Sequence, residues 1–282
     1  MEGGKKGYEV LENFLNQVND YLKSDGIILI VFSSLTRKEK VDEFVSNNLL
    51  EFELLEKQHY LFEDLYVYLI KKSDILKKLE KNNVKAVKYF KKGKRGYIFT
   101  ANYKNKKVAI KIKNPKSDAV LRIENEANFL KILNKKNIGP KLMFFNNEFI
   151  VYEFVGGSNI IDFLENKKPN KKSTLKLIKN IFSQLFVLDR LSINKEEMSH
   201  PQKHIVVTNK NYTVLIDFER AHYVLKPGNV TQFCDFLMSK RIFGLLKANN
   251  IGVSNKKIIN AAKHYKKNQD KRSLKNILNE LK

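Results

Sequence analysis

The sequence predicts an α+β protein assembled from two differently made parts, and three observations carry that reading. The charge steps abruptly near Ser73: residues 1–72 hold 9 Lys/Arg and 13 Asp/Glu, net −4, whereas residues 73–282 hold 44 and 17, net +27. The first stretch orders as helix, strand, helix, strand, strand. The second opens with short alternating strands and closes with helices. A chain of 282 residues has ample length for two such domains, 1–72 and 73–282.

In the first part, Val10, Leu11, Phe14, Leu15, Val18, Tyr21 and Leu22 recur at helical spacing, which predicts an amphipathic helix over 8–22. Ser24, Asp25 and Gly26 end it. The run IILIVF at 27–32 is continuously apolar, as a buried parallel strand requires. Thr36 can cap a second helix that turns Val41, Phe44 and Val45 inward. Two strands follow, at 49–56 and 61–70, read as an antiparallel pair.

In the second part, VKYF, GKRGYIFTANY and KKVAIKIKN alternate as half-buried antiparallel strands do. Gly93, Lys94, Arg95 and Gly96 fall between two of them; glycines there let backbone N–H groups approach phosphates, or they simply make a hairpin turn. Lys111 ends the apolar strand VAIK, where an ammonium can reach nucleotide phosphates, or serve as an edge-strand lysine. Glu126 shares one helix face with Leu130 and Leu133, so its carboxylate can pair with such a lysine; Glu124 fits the inner face less well. The segment Glu153-Phe154-Val155-Gly156-Gly157 follows a strand and precedes a helix, and reads as a hinge with exposed backbone groups or as an ordinary strand–turn–helix. Asp217 follows the apolar strand VLI, a position suited to a divalent cation or to a turn. Residues 229–248 read as helical, with Phe233, Phe236, Leu237, Phe243 and Leu246 inward and Cys234 a buried small side chain. Residues 255–282 continue as basic helices.

Two resemblances follow from these residues. The wording GGKKGYEVLENFL with LKSDGIILIVFSSLT resembles the last third of HemK-like, Rossmann-fold methyltransferases, over about residues 2–72. It implies a sheet completed by the strand that ends in SSLT and by a closing hairpin. The glycine-rich loop for S-adenosylmethionine and the Asn-Pro-Pro-Tyr segment are missing, so the resemblance implies a C-terminal methyltransferase fragment; the alternative is an independent small α/β cap. A half-sheet of this kind exposes an unpaired edge and an uncovered apolar face.

Over roughly residues 84–240, the order glycine loop, strand lysine, helix glutamate, hinge, strand-end aspartate resembles the bilobal protein-kinase fold. It is most like compact archaeal kinase-like proteins allied to the RIO and KEOPS-complex kinases, and like predicted archaeal Ser/Thr kinases with Asp-Phe-Glu in place of Asp-Phe-Gly. The resemblance implies an N-lobe at 84–152, a C-lobe at 158–282, and ATP with Mg²⁺ (or Mn²⁺) as cofactors. By it, Gly93, Lys94, Arg95, Gly96, Lys111, Glu153 and Val155 would touch the nucleotide, Lys111 and Glu126 would form the ATP-positioning pair, and Asp217 would hold the metal.

The catalytic loop departs from that pattern. Counting back from Asp217 puts His204 at the place of the metal-binding Asn and Ser199 at that of the catalytic Asp. His204 could then be a metal ligand, His200 an alternative base, and Lys203 a γ-phosphate contact, or all three could be surface loop residues. Glu219, where the kinases have glycine, suggests a segment that does not switch, with Glu219 pairing with Arg220 or a lysine. The reading divides between an atypical phosphotransferase or ATPase and a nucleotide-binding pseudokinase associated with RNA or the ribosome through its basic surface.

Composition sets the outer limits. The net charge is +23 and the hydrophobic fraction 43%, too apolar for a disordered basic tail. One cysteine excludes an internal disulfide framework and a cysteine zinc site. No apolar run reaches membrane-spanning length and no apolar signal core opens the chain, so the expectation is a cytoplasmic protein with no membrane partner.

Overall fold

The computed structural model describes residues 4–93, 95–113 and 122–281; Lys94 of the glycine loop lies outside them. The fold is α+β, 44% helical and 28% strand, with several antiparallel sheets. The chain divides into two compact units, residues 1–119 and 120–282. Among the described residues, no helix is long and apolar enough to cross a membrane.

The first unit runs α1 (Glu9–Gln17), β1 (Ile27–Ser33), α2 (Lys38–Asn47), β2 (Leu50–His59), β3 (Asp64–Lys72), α3 (Asp74–Lys81), β4 (Lys85–Lys92), β5 (Gly96–Tyr103) and β6 (Lys106–Lys113). Helix α1 is shorter than the apolar periodicity implies. A 3-10 turn takes over at Val18–Asp20, and Tyr21 projects outward while Leu15 and Val18 reach the core. Ser73 sits where the charge steps, and its hydroxyl accepts from Leu76 N–H at 3.3 Å to start α3.

The sheet order is β1-β3-β2, antiparallel at both joints, so β1 and β2 run parallel to each other without touching. The expected pair at 49–56 and 61–70 is therefore real, shifted slightly to β2 and β3. Helices α1 and α2 cover one face: Leu15, Val18, Val41, Phe44 and Val45 pack with Phe32, Tyr66, Tyr68 and Ile70. The Tyr68 hydroxyl donates to Asp42 at 2.8 Å, so this buried phenol keeps a partner.

One expectation is corrected here. Strand β1 is not a strand buried on both faces between parallel neighbours. Its described partner is β3 alone, antiparallel, and Ile27, Leu29 and Val31 remain 60%, 61% and 64% exposed. The continuous apolar run reflects a strand with one face packed on helices and an equally apolar face left open. Strands β4, β5 and β6 form an antiparallel meander, with the β4–β5 turn closed by Gly93 N–H to Gly96 C=O at 2.7 Å.

The second unit begins with α4 (Ile123–Asn134), the hairpin β7 (Leu142–Phe145) and β8 (Phe149–Glu153), β9 (Gly157–Asn159), α5 (Ile160–Lys167) and α6 (Lys171–Arg190). It continues with β10 (Ile193–Asn194), β11 (Ile205–Thr208), β12 (Thr213–Leu215), β13 (His222–Tyr223), α7 (Asn229–Met238), α8 (Lys240–Ala248), α9 (Asn255–Asn268) and α10 (Lys271–Asn279). A three-stranded sheet, β12-β11-β9, packs beside the helices. Gly157 is required there, because a Cβ would lie 2.1 Å from the Val207 carbonyl oxygen.

A single large core joins α4 to α10. Phe233 lies edge-on to Phe182, with ring centroids 5.0 Å apart. The helical stretch 229–248 breaks at Ser239, which rephases it: Phe233, Phe236, Leu237 and Leu246 are buried as expected, but Ile242 takes the inward place rather than Phe243. Cys234 is buried, and burial pushes its thiol well above the ordinary range.

Candidate functional site: an acidic cluster around Asp217

Helix α4 turns Ile123, Glu126, Ala127, Leu130 and Leu133 inward at helical spacing. Glu126 is 1% exposed, whereas Glu124 faces solvent. The Glu126 carboxylate accepts from the Phe218 N–H at 3.2 Å. One residue earlier, the Asn125 amide donates to the carbonyls of Glu219 and Ala221, both at 2.9 Å. Two neighbouring side chains of one helix thus hold the segment that follows β12.

That segment is held from the other side as well. Asp217 adopts a left-handed backbone, φ 65°, which an aspartate tolerates better than most residues. Its carbonyl accepts from the Lys195 ammonium at 2.6 Å. Lys195 is 2% exposed, and the same ammonium lies 4.9 Å from the centroid of the Phe218 ring. Phe218 is fully buried. With backbone and ring fixed, the carboxylates of Glu126, Asp217 and Glu219 offer oxygens within 4.8 Å of one another, a grouping that could hold a metal ion.

Lys195 is itself seated by a buried polar network. Its N–H donates to the Asn229 side-chain oxygen at 2.7 Å, and the Asn229 amide donates to Asp189 at 2.7 Å and to the Ile193 carbonyl at 2.7 Å. Asp189 also accepts from the Tyr265 hydroxyl at 2.9 Å. Burial raises the Asp189 carboxyl to about 6, against the pull of these donors.

His204 stands just before β11, on the other side of Asp217. Its Nε2 meets Glu197 Oε2 at 2.8 Å, and its Nδ1 lies 3.8 Å from Asp217 Oδ2. Nδ1 is buried and has no hydrogen-bond partner. Burial, then the Lys195 charge, holds this imidazole below its ordinary pKa, so a neutral ring with a free lone pair is favoured at neutral pH. The His204 contact conversely lowers the Glu197 carboxyl. A carboxylate on one ring nitrogen and an orphaned second nitrogen is how a metal-binding histidine is oriented.

The other expected residues are placed as follows. His200 and Lys203 are exposed in and beside the 3-10 turn Pro201–Lys203, and the His200 ring contacts Ser199 Oγ at 3.1 Å. Arg220 pairs with Glu196 at 2.7 Å and Glu197 at 2.8 Å rather than with Glu219, for which the sequence suggests Arg220 or a lysine as partner. Glu153 ends β8, and its N–H is taken by the Lys141 carbonyl at 2.8 Å; Val155 follows in the loop to β9. Gly93, Arg95, Gly96 and Lys111 belong to the first unit, with Lys111 opposite Ile98 in the β5–β6 ladder.

Sequence reasoning missed Asn125, Lys195, Glu197 and Asp189. A signal existed for Asp189, an acid on the apolar face of α6 in phase with Phe182 and Leu185. Lys195 lies among charged neighbours in a strongly basic chain and carries no such mark. No protein-family model matches the chain. No curated protein matches it either.

Proposed function

We propose that the chain is an ATP-binding, kinase-like phosphotransferase of the atypical Ser/Thr type, with its metal-binding centre on Asp217 and His204. The observation that supports this most is His204 Nδ1, buried, without a hydrogen-bond partner, and turned toward Asp217 Oδ2 at 3.8 Å. The residues fit a divalent cation: hard carboxylate oxygens suit Mg²⁺ and Mn²⁺, and Mn²⁺ takes an imidazole nitrogen more readily than the harder Mg²⁺ does. Asp217 and His204 would hold it, with Glu219 and Glu126 adjacent. When bound, such an ion neutralises charge on the nucleotide phosphates.

The chain's own residues supply positioning. Lys195, Glu126 and Asn125 keep Asp217 at one setting, so its carboxylate need not be reorganised when a nucleotide arrives. Glu197 orients His204. Lys111 is the residue assigned to the phosphates in this reading, and the exposed His200 and Lys203 are the groups available to accept a substrate proton and to meet the γ-phosphate.

Nucleotide binding and turnover in Mn²⁺ and in Mg²⁺ test the proposal. Asp217→Asn should lower metal-dependent ATP binding by about tenfold or more and abolish turnover, and His204→Ala should weaken Mn²⁺ binding more than Mg²⁺ binding. Lys111→Ala should weaken ATP binding in either metal. ATP binding that none of these substitutions alters would overturn the reading. Binding without turnover in the intact chain would instead favour a nucleotide-binding pseudokinase.

A further inference from the structure

The open face of the β1-β3-β2 sheet has a composition that can be read row by row. The register aligns Ile27 with Lys71 and Glu51, Leu29 with Leu69 and Glu53, Val31 with Val67 and Glu56, and Ser33 with Leu65 and Gln58. Alternation puts these rows on the face opposite α1 and α2. The β1 and β3 side is therefore an apolar stripe over the rows of Leu29, Val31 and Ser33, bounded at one end by the exposed Lys71 beside Glu51, and the β2 side is a line of three glutamates. The bulge between Leu54 and Glu56 keeps Glu56 in line with Glu51 and Glu53.

This face is left open while the other packs on α1 and α2. Strand β1 carries no charge, proline or bulge to protect it, and its outer edge pairs with no described strand. A contiguous apolar stripe rimmed by charge on one side is the pattern of a docking surface rather than of ordinary solvated sheet.

We infer that this face binds an amphipathic helix of a partner protein, laid along the strands with its apolar side on Ile27, Leu29, Val31, Val67 and Leu69 and with Lys/Arg on the flank above Glu51, Glu53 and Glu56. The dimensions agree. A helix is about 10 Å across and spans two strands at about 4.8 Å spacing, which is the width of the apolar stripe. Alternate residues on β2 rise by about 6.7 Å, close to the about 6 Å between helical positions i and i+4. A basic residue every turn can thus follow the glutamate line.

Charge decides between occupants. A second copy presenting this face would set the glutamate line either against another glutamate line or onto the apolar side chains of β1, leaving the carboxylates unpaired in both cases, and an anionic lipid surface would be repelled by it. The chain's own basic helices, α9 and α10, already bury Ile258, Tyr265, Leu274 and Ile277 in the core of the second unit.

The test uses the full chain and two synthetic helical peptides of about 16 residues with the same leucine face, one flanked by lysine and one by glutamate. Fluorescence anisotropy should show the lysine peptide binding, more weakly as salt is raised. The remainder of the molecule is strongly cationic and repels this peptide, so binding reports on the acidic face. Leu29→Asp should weaken binding about tenfold or more. The triple variant Glu51→Lys, Glu53→Lys, Glu56→Lys should reject the lysine peptide and accept the glutamate one. Circular dichroism checks that each variant is folded, and the charge swap is a gain that misfolding cannot produce. Equal binding of the lysine peptide to wild type, Leu29→Asp and the triple variant would overturn the inference. So would a wild-type dimer in sedimentation that Leu29→Asp turns into a monomer.

Discussion

The sheet of the first unit and the helical core of the second are built from equally apolar sequence, yet only one of them is closed. In the second unit, α4 to α10 surround their aromatic residues, and Phe182, Phe233 and Phe236 lose all contact with water. In the first unit, Leu29 and Val31 are as apolar as anything in that core and stay largely in solvent. Composition therefore does not distinguish a residue that the fold buries from one that it leaves in solvent. The number of layers around a strand does.

Three substitutions probe that contrast. The largest effect should come from Phe233→Ala, which opens a cavity among rings that cannot collapse onto it. A loss of about 3–5 kcal/mol is expected in the urea unfolding of the second unit. A loss below about 1 kcal/mol would mean that this core is looser than its packing indicates.

A middle effect belongs to Asp189, whose folded carboxyl titrates at about 6, above its ordinary value of 3.8. A raised pKa means the folded state holds the proton more tightly than the unfolded chain. Its stabilising contribution is thus complete below about pH 4 and is lost as pH rises through about 6. The difference amounts to about 3 kcal/mol. Asp189→Asn keeps one acceptor oxygen for Asn229, turns an NH2 donor toward the Tyr265 oxygen, and cannot titrate. The stability difference between wild type and this variant should therefore change between pH 4 and 6, and a constant difference would remove the assignment.

The smallest effect should be Leu29→Ala on the open face, within about 0.5 kcal/mol by the same unfolding measurement, because an exposed leucine has little burial to lose. A loss of several kcal/mol would show that β1 is covered in solution.

Much of this was legible in the residues. The alternation in β5 and β6, the hairpin of β2 and β3, and the inward phase of Glu126 over Glu124 follow from period and spacing alone. The strand-end position of Asp217 did too. What escaped has a common cause: it depends on what lies across space. IILIVF reads identically whether helices cover one face or both, so the run itself pointed to a strand buried on both faces, and only the resemblance to half a sheet pointed to an open one. His204 was identifiable by counting back from Asp217, but its orphaned Nδ1 depends on Glu197 having taken the other nitrogen. Lys195 resembles every other lysine until the carbonyl it meets is known.

The clamp on residues 217–221 has a consequence for binding. Lys195 takes the Asp217 carbonyl, Glu126 the Phe218 N–H, and Asn125 the carbonyls of Glu219 and Ala221. A strip of five residues fastened at four points has little slack to store a second position. A cation or ligand that reaches the acidic cluster would therefore meet carboxylates whose backbone is already set.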